Sequence, residues 1–513
     1  MQHPVNQVTG IIDIGSNTVR LSVYHINENG AYRVVDQGRW PARLSERMSS
    51  DGTLPDSAVD ELCEVMRHFK RICQKHGASR IRAVATAAIR QAGNRDAVIE
   101  KLRKNAGLSI EILSGEDEAR IGTQAMLNSL SVRDAFVVDI GGGSTEITLV
   151  RDRKVVSAVS FPIGCVNVAG RFGLGASPVS PTVLTEIQTE ARRLFSREKW
   201  ISQHHGLPLI GLGGTVRALA KLHQRQTNYP FPYLHGYELD KPALASTLGK
   251  LANVSVSQRR KMPGLSKDRG EVIVPGMAIL LAVVQQTQAD KVVACGAGLR
   301  DGLFFETCLP HNESQADNYA LEESIRNLTA LYPAAPAGHL QQVRKLALAL
   351  YDPLSARTSM PESSRTLLDA ASRLFKIGAV IDFNDCANHT FYMLLHTHWN
   401  GLSHREMLMT AAIAAYRGAN TLRRKLAPYR SIIRNGDVQI ITKLGSLLQL
   451  AAALDRSESQ AITSLDLAIK GNKLRLLATA AHSLPVEKTE VDGMAKEIKK
   501  NWGITPELQV RVK

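Results

Sequence analysis

The chain has 513 residues, with 63 lysines and arginines against 48 aspartates and glutamates, for a formal charge of +15. That length exceeds the roughly 250–300 residues at which a single core stops growing, so more than one domain is expected. A hydrophobic share of 44% excludes wholesale disorder, and apolar runs such as Met277 to Val284 fall far short of the ~20 residues a membrane helix needs. The polar start, Met1 to Gly10, has no apolar signal core, so a cytoplasmic protein without membrane insertion is expected. The six cysteines (Cys63, Cys73, Cys165, Cys295, Cys308, Cys386) form no CxxC pair and read as reduced, mostly buried thiols.

In chain order, Gly10 to Asp13 and Val19 to His25 are apolar strands around the turn Gly15-Ser16-Asn17, and Tyr32 to Gln37 makes a third strand. Asp56 or Ser57 is expected to cap a helix whose apolar positions Leu62, Val65, Met66, Phe69 and Ile72 keep helical spacing up to Gly77. Short strands follow at Ile81 to Ala85 and Leu108 to Leu113, then a helix from Glu116. The pattern restarts with a strand Phe136 to Asp139, the turn Gly141-Gly142-Gly143-Ser144, and strands Glu146 to Val150 and Lys154 to Phe161. Asp13-Ile14-Gly15-Ser16 and Asp139-Ile140-Gly141-Gly142 thus occupy equivalent places in two β-β-β-α-β-α units. A repeat that long is no solenoid; it predicts two similar α/β lobes.

From about residue 309 the texture becomes helical. Leu321 to Leu331, Leu340 to Tyr351, Ser363 to Phe375, Arg405 to Arg417 and Asp437 to Leu454 carry helical periodicity, after a polar linker His311 to Asp317. A small α+β cap closes the chain, with strands Leu465 to Ile469, Lys473 to Ala478 and Glu507 to Val512 and a helix Val486 to Asn501. The expected boundaries are 1–128 for the first lobe, with 298–308 returning to it, 129–297 for the second, 309–460 for the helical domain and 461–513 for the cap.

Three glycine turns follow apolar strands: Asp13 to Asn17, Asp139 to Glu146 and Gly211 to Thr215. Glycine lets backbone N–H groups converge on an anion with no Cβ in the way, and a following helix N-terminus adds a favourable dipole. One such turn is an ordinary hairpin feature; two at equivalent points of a repeat, plus a third, point to phosphate. The surplus charge agrees with an anionic partner. It is spread, with 38 basic and 28 acidic residues up to position 304, so no basic arm carries it.

The first of these turns and the Asp139 to Glu146 run, together with Ser114-Gly115-Glu116-Asp117-Glu118-Ala119-Arg120, Thr86-Ala87-Ala88-Ile89-Arg90, Val274-Pro275-Gly276 and Gly296 to Gly302, resemble the exopolyphosphatase/guanosine pentaphosphate phosphohydrolase family. The resemblance covers about the first 305 residues and continues more loosely beyond. It implies duplicated actin-like (ribonuclease H-like) α/β lobes, followed by an all-α HD-like domain and the small α+β cap.

It also implies roles. Glu118 stands at the catalytic glutamate position, to orient or deprotonate the attacking water. Asp139 and Glu146 match acidic residues that hold Mg²⁺ or another divalent cation, with no organic cofactor. Asp13, Gly15, Ser16, Asn17, Arg90 and Gly141 fall where phosphate is bound, and the glycine-turn reading adds Gly142, Gly143, Ser144, Gly213, Gly214 and Thr215 as phosphate-binding candidates. The implied substrate is inorganic polyphosphate, shortened from its end, or guanosine pentaphosphate, whose hydrolysis would use the same residues. Neither a specific nucleic acid nor a membrane is implied; a homodimer is.

In the helical region, Phe375-Lys376 stands where long members' relatives carry a metal-binding His-Asp pair, and Tyr416-Arg417 where a second histidine follows tyrosine. A lysine at the centre repels a metal, so no second metal site is expected, and His396, His398 and His404 read as ordinary surface or interface histidines. The acid-free cluster Arg423, Arg424, Lys425, Arg430 and Arg434 reads as a guide for a long polyanion or as a solvated helix face. An ATP-dependent kinase or chaperone of the same fold, and a silent phosphate-sensing or RNA-binding protein, remain open alternatives.

Overall fold

The computed structural model describes residues 6–309 and 316–512, so most of the expected linker lies outside the described residues. Two compact units divide at Leu321 and Glu322.

The first unit contains two sheets. β1 (Gln7–Ile14), β2 (Val19–Ile26), β3 (Tyr32–Trp40), β4 (Arg80–Ala85) and β5 (Ile110–Ile112) form a five-stranded sheet in the order β3-β2-β1-β4-β5. β6 (Ala135–Ile140), β7 (Thr145–Arg151), β8 (Lys154–Phe161), β9 (Leu209–Leu212), β10 (Tyr237–Asp240) and β11 (Lys291–Ala294) form a six-stranded sheet in the order β10-β11-β9-β6-β7-β8. In both, an antiparallel meander joins a parallel pair through its first strand: β1 pairs with β2 and β4, and β6 with β7 and β9. The sheets are therefore two copies of one plan, with β10 added at an edge, and the unit is an actin-like pair of α/β lobes.

Chemistry explains the buried elements. Helix Ile273–Thr287 has an unbroken buried run from Ile273 to Val284, so it is apolar on every side because protein surrounds it, not lipid. Among the described residues, no helix is long and apolar enough to cross a membrane. Helix Leu299–Cys308 places Leu303, Phe304 and Cys308 against Ile11, Tyr24 and Val84 of the first sheet, with Tyr24 and Phe304 stacked at 4.0 Å. The helix after β3 starts at Asp56, but Pro55 is its N-cap and no side chain caps it. Proline's fixed φ supplies the entry geometry, so neither Asp56 nor Ser57 takes the expected capping place. Five of the six cysteines are buried, and all six are free.

The second unit carries the expected helices and two that were not anticipated, Cys386–His396 and Ala419–Leu426. β12 (Ile462–Lys470), β13 (Lys473–Ala480) and β14 (Thr505–Val512) form a three-stranded sheet in that order, with helix Pro485–Trp502 between the last two. Tyr416 is buried and donates to Glu497 Oε1 at 2.5 Å, joining the helices to this sheet's helix. Lys376 pairs with Glu458, whose Oε1 lies 3.9 Å from Nε2 of buried His339; Nδ1 of that ring is 2.8 Å from Asp455 Oδ2. A lysine ammonium thus stands beside this buried His-Asp pair. His404 is buried rather than on the surface, whereas His396 is exposed and stacks on Tyr392.

Candidate active site

The two hairpins build the same turn. The amide of Gly15 donates to the Thr18 carbonyl at 3.3 Å, and that of Gly141 to the Ser144 carbonyl at 2.9 Å. Because strand partners across a hairpin share a face, the residue two before each glycine faces the first pleated partner of the next strand. In the first lobe Asp13 faces Arg20; in the second Asp139 faces Glu146. The plan is repeated but the charge is inverted.

The two turns meet across one cleft. A Cβ on Gly142 would come within 3.1 Å of Ser16 Cβ, and one on Gly143 within 3.2 Å of Ser16 Oγ. Asp13, Gly15, Ser16, Asn17, Glu118, Asp139, Gly141, Gly142, Gly143, Ser144, Glu146, Gly213 and Gly214 all line this cleft of about 130 Å³. Its lining is mostly polar, made of carboxylates, guanidiniums and glycine-turn backbone with few apolar side chains. It suits phosphoryl groups and an ion.

Glu118 is placed by its helix. Ser114 caps Gly115–Leu127, its hydroxyl accepting from the Asp117 amide at 3.0 Å and donating to Asp117 Oδ2 at 2.7 Å. Asp117 thereby serves the helix end, and Glu118, one residue on, turns to the cleft with its side chain 18% exposed. Burial, then the neighbouring Glu146, push its carboxyl well above the usual carboxylate range, against the pull of Arg90. Glu146 accepts from Ser160 at 2.7 Å; burial and Asp139 push it up to about 7. Burial also raises Asp13 and Asp139.

Gly213 shows why the third turn needs glycine. It opens helix Gly213–Gln226 at φ +74°, and a Cβ there would collide with Asp139 Oδ1. Two of the expected phosphate residues do not line the cleft. Thr215 is buried about half a helical turn on from Gly213, where its Oγ1 would lie 2.9 Å from a Cβ on Gly276. Arg90 Nη1 is 3.2 Å from Glu118 Oε2 and donates to the Leu113 carbonyl at 2.8 Å, so it reaches the cleft through the glutamate.

The cleft also holds groups that motif reading passed over: Arg20, Arg217, Arg269, Arg300 and Asp301. Arg217 is spent on backbone, donating to the Gly213 and Gly296 carbonyls at 3.0 Å each, and Arg300 donates to the Leu21 carbonyl and Ser22 Oγ. Burial, with Arg217 and Arg300 nearby, lowers Arg20 to about 9. Crowded guanidiniums of this kind are stabilised by an anion. Arg20 was readable by counting across the hairpin from Asp13, and Arg300 and Asp301 sit inside the Gly296 to Gly302 motif. Arg269 had no local signal.

Asp139 and Glu146 can hold a hard divalent cation. They are two oxygen donors on one face, Glu146 buried and Asp139 half-buried, both carrying raised protonation that a cation would relieve. No group of three or more histidine, cysteine, aspartate or glutamate side chains fit to hold a metal occurs among the described residues.

Of the distal cluster, Arg423, Arg424, Arg430 and Arg434 are exposed. Lys425 is not part of that surface. Its Nζ donates to the Ala387 carbonyl at 3.3 Å and lies 5.0 Å from the Phe391 ring centroid, and burial lowers it to about 8.

Comparison with known proteins fits this geometry. The family model of the Ppx/GppA phosphatase family matches residues 22–311, and that of Ppx/GppA phosphatase domain III matches residues 322–488. The crystal structure of the Aquifex aeolicus member of that family is 28% identical, with a TM-score of 0.52, covering 60% of this chain and 99% of its own. That of an exopolyphosphatase from Cytophaga hutchinsonii is 21% identical, with a TM-score of 0.55, covering 58% and 97%, and bears on fold alone. With all of the cleft beyond Arg20 lying within the first match, the chain belongs to the Ppx/GppA phosphatase family and is a hydrolase.

Proposed function

We propose that the chain is an exopolyphosphatase that removes terminal phosphates from inorganic polyphosphate with the help of Mg²⁺ or a similar divalent cation. The observation that carries this reading is the meeting, in one small cleft, of Glu118, Asp139 and Glu146 with Arg20, Arg269 and two facing glycine turns. Carboxylates alone would suit a metal, and guanidiniums alone an anion; a metal-bound phosphoanhydride asks for both.

In this reading the amides and guanidiniums of the first lobe orient the terminal phosphoryl group. Asp139 and Glu146 would hold the cation, which when bound neutralises phosphate oxygens. Glu118, steered by Arg90, takes a proton from a water whose oxygen forms a bond to the terminal phosphorus as the bridging P–O bond breaks. Orthophosphate leaves, and the chain end carries the negative charge of the broken bridge. Its raised affinity for protons makes Glu118 a better base than an ordinary carboxylate once it is ionised. The exposed Arg423, Arg424, Arg430 and Arg434 would attract distal stretches of a long polyanion through charge alone, without regard to sequence.

The deciding experiment compares phosphate release from long-chain polyphosphate and from guanosine pentaphosphate. A higher kcat/KM for the polymer supports the proposal. A far higher value for the nucleotide reassigns the same residues to removal of its 5′ γ-phosphate. ATP-dependent phosphorylation without release from either substrate overturns both.

A further inference from the structure

Arg269 enters the cleft from outside the glycine turns. It ends the short turn Lys267–Arg269 and lies so close to helix Gly213–Gln226 that a Cβ on Gly214 would collide with its guanidinium. The residues flanking it are not idle. Asp268 pairs with Arg39 on β3 of the first lobe. Glu271 pairs with Arg260 and stands 3.9 Å from Arg43 Nη1, also of the first lobe.

Arg43 is itself fastened to the first glycine turn. Its amide donates to the Asn17 carbonyl at 3.0 Å, and the Ser45 amide to the Ser16 carbonyl at 3.2 Å. From within the second lobe, buried Arg259 donates from Nε to the Leu251 carbonyl at 2.7 Å and from Nη1 to the Gly270 carbonyl at 3.4 Å. The segment 266–272 is thus held through its Gly270 carbonyl by Arg259 of its own lobe, and by side-chain charge from the other lobe.

We infer that Asp268 and Glu271, reaching to Arg39 and Arg43, form a clasp between the lobes, and that Asp268 is a positioning residue that aims Arg269 at the phosphate chain. The inference rests on the phosphoanhydride reading for what Arg269 binds; the clasp itself does not. Neighbouring residues on so short a turn share one backbone, so a carboxylate fixed to the opposite lobe fixes the guanidinium beside it. Its side chains are only partly buried, with Arg39 46% and Asp268 26% exposed, so the clasp is open to screening by salt. Its effect is accordingly that of a partly exposed ion pair, a change of about three- to fivefold rather than a loss of function.

Three measurements test it. Asp268→Asn is expected to raise KM for polyphosphate about three- to fivefold with kcat within twofold, and the charge-swapped pair Arg39→Asp with Asp268→Arg to restore KM. In an Arg269→Ala background, Asp268→Asn should add nothing further, because it acts through that arginine. Amide hydrogen exchange over residues 266–272, which needs no activity, should speed up in Asp268→Asn and return in the swapped pair. Unchanged exchange in Asp268→Asn overturns the clasp. Changed exchange with a KM effect that persists undiminished in the Arg269→Ala background overturns the positioning role. A wild-type enzyme that releases phosphate from neither substrate overturns the functional reading while the exchange result still decides the clasp.

Discussion

Arg90 Nη1 touches Glu118 Oε2 at 3.2 Å and the Leu113 carbonyl at 2.8 Å, so one guanidinium nitrogen ties the glutamate to the end of the strand that precedes its helix. The carboxylate that faces the cleft is held in place from behind by a charge that also favours its ionised form.

Replacing Glu118 by Gln keeps the shape and removes the base. The expected result is a fall in kcat of about 10²–10⁴-fold with little change in KM, read in steady-state phosphate release. An unchanged kcat would remove Glu118 from the mechanism.

Arg90→Gln separates a role through Glu118 from a direct contact with substrate. Since Arg90 opposes the upward push on Glu118, its loss raises that group further, and the rising limb of kcat against pH moves to higher pH. A raised KM with an unmoved pH profile would instead make Arg90 a phosphate ligand.

Glu146 predicts a pH dependence of stability. Its folded value is raised from 4.5 to about 7, so within that window the folded protein binds the proton that the unfolded chain has released. Stability therefore falls as pH rises between those limits. Metal-free wild type should lose more of its Tm from pH 4.5 to 7 than Glu146→Gln does, and Mg²⁺ should restore the wild type alone. Parallel Tm curves for the two proteins would contradict this.

Gly213→Ala places a side chain at φ +74° and against Asp139 Oδ1. A non-glycine residue in such a conformation costs roughly 1–3 kcal/mol, which denaturant titration should show, together with reduced Mg²⁺ affinity as Asp139 is displaced.

On the second unit, Arg423→Ala with Arg424→Ala should raise KM for long polyphosphate and flatten its dependence on salt, leaving a short oligophosphate unaffected. Lys425→Gln should leave both kinetic values alone, because Lys425 is occupied by Phe391 and the Ala387 carbonyl.

What could be read beforehand was whatever repeats or punctuates. Asp13 and Asp139 stand at matching strand ends because two short motifs recur, and the paired sheets follow from the same repeat. Glycine turns announce themselves by residue type alone. Arg269 does not, since its place depends on where a turn 130 residues after Asp139 folds back, and no local pattern encodes that. Thr215 was misplaced for a related reason: helical rotation carries it about half a turn away from Gly213 and into the packing against Gly276. Lys425 sat in a run of charges that looked uniform, yet helix periodicity turns one member of such a run inward. His339 and Asp455 went unremarked because 116 positions separate them, and only the fold brings the pair together.

One substitution between the two hairpins has a consequence for the direction of the reaction. Where the first lobe has Arg20, the second has Glu146, at the same register position opposite an aspartate. Two identical halves would give a cleft in which a phosphate chain reads the same from either side. At this one register position the cleft carries a cation on one side and an acid on the other, which gives it a local polarity. On the proposed reading, a chain end entering it would meet a cation on one side and a carboxylate suited to a metal on the other, and this inverted charge would help tell scissile and leaving phosphates apart.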